Sequence, residues 1–224
     1  MEDLLSLTIR AELAASREVM ASLCADETII ATMEAVARRA ADVLVAGGKI
    51  LFAGNGGSAA DAQHLAAELV GRYAYDRPGL AALALTTDTA ALTAIGNDYG
   101  FERIFARQIE AVARAGDLLI AMSTSGRSPN IIAALQTARA CGLITVGLTG
   151  RGGGAMAESC DYLLAMPSTD TPRIQEGHKA VGHIMCGLIE RLCAPEKPDP
   201  DSGPPHVGRG PLRSAGQSTG APTA

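Results

Sequence analysis

The sequence predicts an α/β fold: a five-stranded parallel sheet covered by helices, with two further helices ahead of it. Three observations carry this. Short apolar runs of strand length alternate with longer stretches of helical period. Two of those runs pass directly into turns rich in glycine or hydroxyl groups that open helices. Hydrophobic residues make up 47% of the 224, enough for one well-buried domain. Alternation of this kind implies parallel strands with ligands bound outside their carboxyl ends.

Residues 2–23 and 26–46 both have helical periodicity, through Leu4, Leu5, Ile9, Leu13 and Val19 and then Ile29, Ile30, Met33, Ala37 and Val43. They carry more apolar side chains than a single packing stripe requires, so a subunit interface and simple intramolecular covering are both open readings. The first strand, Ile50-Leu51-Phe52-Ala53, runs into Gly54-Asn55-Gly56-Gly57-Ser58 and an alanine-rich helix. A second strand is expected over 80–85. Thr86-Thr87-Asp88 then caps a helix through Leu92 to Ile95, which Gly96-Asn97-Asp98-Tyr99-Gly100 interrupts. A helix over 102–114 leads to a third strand over 118–122. Ser123-Thr124-Ser125-Gly126-Arg127-Ser128-Pro129-Asn130 follows, with a helix over 130–140 behind it. Strands over 143–148 and 162–166 flank a loop at 149–154, and a last helix spans about 173–192. Residues 1–193 thus form one domain. The Pro/Gly-rich stretch 194–224 is expected to be a disordered tail, and His206 within it is given no chemistry.

A net charge of −5, 3% aromatic residues and no tryptophan argue against a nucleic-acid partner. No apolar run approaches the roughly 20 residues that span a bilayer, so neither membrane nor membrane partner is expected. Five cysteines without a CxxC pair or signal peptide suggest reduced thiols in the cytoplasm, serving as small buried hydrophobes.

Glycines at 54–57 allow positive φ and close approach of a ligand to the main chain, while the helix that follows aims unpaired N–H groups at the same place. A phosphate suits such a turn. The hydroxyls of Ser123, Thr124, Ser125 and Ser128 exceed what one helix cap needs and suit an anion with several oxygens. Gly54-Asn55-Gly56-Gly57-Ser58-Ala59 also matches a loose dinucleotide fingerprint, but Asp76 precedes the second strand instead of ending it, and 224 residues leave no room for a separate catalytic domain. Neither turn ends in the Lys-Ser/Thr of a triphosphate-binding loop. His64 and Glu68 stand four residues apart on one helix face, which fits two metal ligands, a base beside a proton donor, or merely a solvated face. His183 lies among apolar neighbours, as a core histidine would. Gln175 reads as a helix-start residue and His178 as a surface or supporting one.

Taken together, the turn from Gly54 to Ser58, Asp61-Ala62-Gln63-His64 with Glu68, Gly71-Arg72-Tyr73, Gly96-Asn97-Asp98, Ser123-Thr124-Ser125-Gly126 and Arg173-Ile174-Gln175-Glu176 with His183 closely resemble the phosphoheptose isomerases. These are sedoheptulose 7-phosphate isomerases of the three-layer SIS (flavodoxin-like) fold, and the resemblance covers about residues 1–193. It implies an aldose–ketose isomerase acting through a cis-enediol, with Asn55, Gly56, Gly57, Ser58, Asn97 and Asp98 lining the substrate site and Ser123, Thr124, Ser125 and Ser128 holding the phosphate. It further implies Glu68 as base and His183 as its acid/base partner, with one Zn2+ per subunit at His64, Glu68, Gln175 and His183. Gln175 also touches substrate in that family. The resemblance implies homotetramers with active sites between subunits. A rival is a non-catalytic SIS protein that senses sugar phosphate or docks on the replication initiator, as DiaA-like relatives do.

Overall fold

The structure, a computed structural model, describes residues 3–195. The tail expectation therefore falls, from residue 196 on, outside the described residues. Helices α1 (Leu4–Ala25) and α2 (Glu27–Val45) lead into β1 (Ile50–Gly54) and α3 (Gly57–Val70). Next come β2 (Ala82–Ala84), α4 (Thr89–Tyr99), a 3-10 turn (Phe101–Arg103) and α5 (Ile104–Val112). The chain closes with β3 (Leu118–Ser123), α6 (Pro129–Ala140), β4 (Ile144–Thr149), a 3-10 turn (Gly154–Glu158), β5 (Tyr162–Ala165) and α7 (Thr171–Cys193). All strand pairs are parallel, in the order β2-β1-β3-β4-β5.

Alternate residues of the central strands feed opposite faces, as strand geometry requires. Ile50, Phe52, Leu118, Ile120 and Met122 pack under α2, α3 and α7, and Leu51, Ala53, Leu119 and Ala121 pack under α5 and α6. Each fully buried side chain of this size contributes roughly 1.5–3 kcal/mol relative to exposure. The strand order places the reversal between β1 and β3, so the turns after these two strands, 68 residues apart at Gly54 and Met122, open side by side.

Two expectations need correction. The helix over 89–99 is not interrupted at 96–98. Gly96 lies inside α4, where a Cβ would stand 3.6 Å from Ile104, and the helix ends only at Gly100, with φ +85°. Asp88 caps it by accepting from Ala91 N at 2.9 Å, as read. The second strand is shorter than expected, because only Ala82–Ala84 sustains the ladder, although Ala81 O and Leu85 N still bond to β1.

The leading helices divide the two roles. Asp26 caps α2 by accepting from Thr28 N and Ile29 N, and α2 buries seven residues against the sheet layer. Helix α1 buries only Val19 and leaves Leu4, Leu5, Leu7, Ile9 and Leu13 exposed. Among the described residues, no helix is long and apolar enough to cross a membrane.

Candidate active site

The β1–α3 turn depends on glycine at two places. A Cβ on Gly54 would stand 2.5 Å from the carbonyl oxygen of Ser58, and Gly56 takes φ +54°. Ser58 N bonds to Asn55 O and Ala59 N to Gly56 O, leaving the amides of Gly56 and Gly57 without a backbone partner among the described residues. In the β3–α6 turn, Ser123 Oγ lies 2.9 Å from Ser128 Oγ and 3.4 Å from Ser125 Oγ, while Ser125 Oγ accepts from Arg127 N. Gly126, with φ +63°, has Gly153 O only 2.2 Å from where a Cβ would be. Thr124 accepts from Gly150 N through its carbonyl.

The two turns are fastened to each other. Asn55 Nδ2 donates to Asn130 Oδ1 at 2.9 Å and Asn130 Nδ2 donates back to Asn55 Oδ1 at 2.8 Å, with Asn130 fully buried. Asn130 escaped the sequence reading, in which it was only a helix start. Nothing local marks it, since its role exists only once β1 and β3 are neighbours.

Helices α3 and α7 run side by side. Gln175 Nε2 stands 3.2 Å from a Cβ position on Gly57, and Leu65 fits against Gly182, where a Cβ would meet it at 2.8 Å. This register brings His64, Glu68 and His183 together, with one ligating atom from each within 4.8 Å of the others. His64 Nε2 lies 2.7 Å from His183 Nε2 and 3.4 Å from Glu68 Oε1. Two facing Nε2 lone pairs would repel, so one ring carries the shared proton there. A pair of histidines with one carboxylate suits zinc with positions left open. Two imidazoles on one tetrahedral zinc sit about 3.4 Å apart, so the histidine pair must open by a fraction of an ångström to admit it.

The remaining expected residues are placed differently. Gln175 rests at the first turn of α3, eight residues and roughly 12 Å of helix from His183. Ser58 is buried in that turn. Asn97 and Asp98 are exposed at the end of α4, where Asn97 Nδ2 donates to Asp98 Oδ1, and they bond to neither the β1–α3 nor the β3–α6 turn.

His178 corrects the surface reading. It is fully buried, and neither ring nitrogen has a hydrogen-bond partner. Burial lowers its pKa; the Thr149 backbone and Asp61 oppose this more weakly, the former without hydrogen-bond geometry. The cysteines also divide. Cys186 is buried and its thiol is pushed up to about 12 by burial, with Glu68 and Glu190 adding to the effect, whereas Cys24 is exposed, against expectation.

The fold and its switch-point turns define a class, and the chain belongs to it: residues 14–150 match the SIS domain family. More particularly, it belongs among the phosphoheptose isomerases. It is 58% identical over 178 residues to the phosphoheptose isomerase of Burkholderia pseudomallei strain 1710b, covering 80% of this chain and 90% of that protein. Against the enzyme of Aneurinibacillus thermoaerophilus it is 54% identical over 182 residues, 81% and 92% of the two chains. The solved phosphoheptose isomerase from Neisseria gonorrhoeae superposes with a TM-score of 0.77 at 44% identity, covering 83% of this chain and 98% of that one.

Proposed function

We infer that this chain interconverts sedoheptulose 7-phosphate and D-glycero-D-manno-heptose 7-phosphate, the opening step toward nucleotide-activated heptose. The observation that carries this reading is the convergence of His64, Glu68 and His183 from two helices beside a pair of anion-binding turns. From Gly57 to His64 is roughly 10 Å along α3, a separation that suits a phosphate held at one end and reacting carbons at the other end of a sugar chain.

The phosphate is held by the hydroxyls of Ser123, Thr124, Ser125 and Ser128 and the free amides of the first turn, which fixes the far end of the sugar and orients its carbonyl end. Asn55, Gly56, Gly57, Ser58, Gln175, Asn97 and Asp98 complete the substrate set. Glu68 removes the proton from C1 of the ketose, and the electron pair forms the C1–C2 double bond of a cis-enediol as the C2 carbonyl oxygen gains a proton from His183. Glu68 then returns its proton to C2 while the C1 hydroxyl gives its proton to His183, which yields the aldose and restores both side chains. His64, Glu68, Gln175 and His183 would hold the zinc ion, which when bound supplies Lewis-acid polarisation of the substrate oxygens.

The active form is a cytoplasmic homotetramer. Its support is the uncovered apolar face of α1 and a groove of about 600 Å3 among α1, α2 and α7, lined by Met20, Leu23, Ile30, Ile184 and Leu188. The direct test is turnover of sedoheptulose 7-phosphate with and without chelator, alongside a mass measurement in solution. No aldose product under either condition refutes the isomerase and leaves the non-catalytic sugar-phosphate binder.

A further inference from the structure

Behind the His64–Glu68–His183 cluster lies a fully buried ion pair that sequence reading passed over. Arg77 and Glu190 side chains are 2% and 0% exposed, with Arg77 Nε 3.1 Å from Glu190 Oε1. Arg77 sits in the irregular segment after α3 and Glu190 near the end of α7. Glu190 accepts from Tyr73 N and Ala74 N, both at 2.8 Å. Arg77 turns its remaining donors onto the end of α3: Nη2 donates to the carbonyl of Glu68 at 3.0 Å, and Nη1 serves those of Leu69 and Gly71 as well as that of the adjacent Pro78. The last carbonyls of a helix lack partners within it and carry the negative end of its dipole, so a guanidinium there is favourable. Buried, that cation requires a counter-ion, which α7 provides.

The result is a directional link between the helix that carries Glu68 and the one that carries His183. Tyr73, whose amide Glu190 holds, sets its ring 6.1 Å from the His183 ring and against Gly187, where a Cβ would meet it at 3.0 Å. Apolar side chains of equal volume often stabilise a fold as well as a buried pair does, so the distinctive contribution of these bonds is geometry. We propose that Arg77 and Glu190 are positioning residues for the isomerisation, fixing the separation of α3 and α7 and hence the approach of Glu68 to His183. The proposal rests on the catalytic reading of those two residues.

The test uses the full-length protein and three variants: Glu190→Gln, Arg77→Lys, and the double replacement of Arg77 and Glu190 by methionine. Turnover of sedoheptulose 7-phosphate is measured beside the ring NMR signals of His64 and His183 in metal-free, substrate-free protein. Lys49→Met is the control, because it breaks the ion pair with Asp117 (2.6 Å), which ties the segments entering β1 and β3 and involves neither α3 nor α7. Each of the three is expected to lower kcat by about tenfold or more, with KM within about twofold, and to move both ring signals. The control moves neither at a matched loss of Tm. The double methionine variant leaves no lone buried charge but takes the acceptor from the Tyr73 and Ala74 amides, so it is expected to lose Tm as well as kcat, and the Lys49→Met control shows how much of the kcat loss follows from stability alone. Wild-type kcat and unmoved ring signals in that variant, or an equal loss of kcat in Lys49→Met, overturn the proposal. Absence of turnover in the wild type refutes the isomerase instead, and the ring signals alone then decide the positioning claim.

Discussion

The two halves of the site are made of different materials. The switch-point turns are built from backbone: free amides, positive-φ glycines and hydroxyls supplied within six residues of one another. The α3–α7 seam is built from side chains 115 residues apart in sequence, His183 against Glu68, and it exists only because two helices run in register. Turns of the first kind grip an anion in many proteins, whereas the seam is what could turn a binder into an isomerase. Breaking the seam should therefore remove chemistry and leave binding. Glu68→Gln or His183→Ala is expected to lower kcat by about 10²–10⁴-fold, the usual worth of a positioned acid or base, with the unfolding transition unchanged. A variant of either kind that keeps near-normal kcat removes the role assigned to that residue.

Breaking the turns should do the reverse. Gly126→Ala places a methyl 2.2 Å from Gly153 O in a left-handed conformation. Its cost is roughly 2–4 kcal/mol from backbone strain and overpacking together, read as a fall in the midpoint of denaturant unfolding. Asn130→Ala is milder. It leaves the Asn55 amide without its partner, for about 1–3 kcal/mol, and frees the two turns from each other. The expected signature is a raised KM for the sugar phosphate with kcat largely kept. A fall in kcat at constant KM would show that the turns and the seam act as one unit.

This division also explains what could be read in advance. Strand period, glycine turns and the Asp88 cap are local properties, so the parallel sheet and both turns at its carboxyl end were visible in the residues themselves. His64 and Glu68 share a face by helical spacing alone, yet spacing could not distinguish a site from a solvated surface. Only the family resemblance joined them to His183. The Asn55–Asn130 fastening and the Arg77–Glu190 pair were invisible because each joins residues whose neighbourhood the sheet order creates. Gly96 misled for a related reason: glycine in a helix interior costs only about 1 kcal/mol relative to alanine, which α4 tolerates, running on to Gly100.

The smallest effect concerns the helix that serves both halves. His178 lies in α7 between Gln175 at the turn and His183 in the seam, buried with both nitrogens unpartnered. Burial lowers its pKa, against weaker upward pulls from the Thr149 backbone on β4 and from Asp61 on α3, the latter already paired with Lys179 at 3.2 Å. The unfolded chain, with a histidine pKa near 6.5, takes up the proton before the folded chain does. Between that value and the lower folded one the unfolded state binds more protons, so stability rises with pH there and is complete above about pH 6.5. Acidifying through this window is therefore expected to lower Tm. His178→Leu, which removes the group and its unpaired nitrogens, should flatten that part of the Tm–pH curve while leaving Tm at pH 8 little changed. If the acid limb is as steep in the variant as in the wild type, the histidine is neutralised by a partner, and α7 is joined to β4 by a polar contact and not by packing alone.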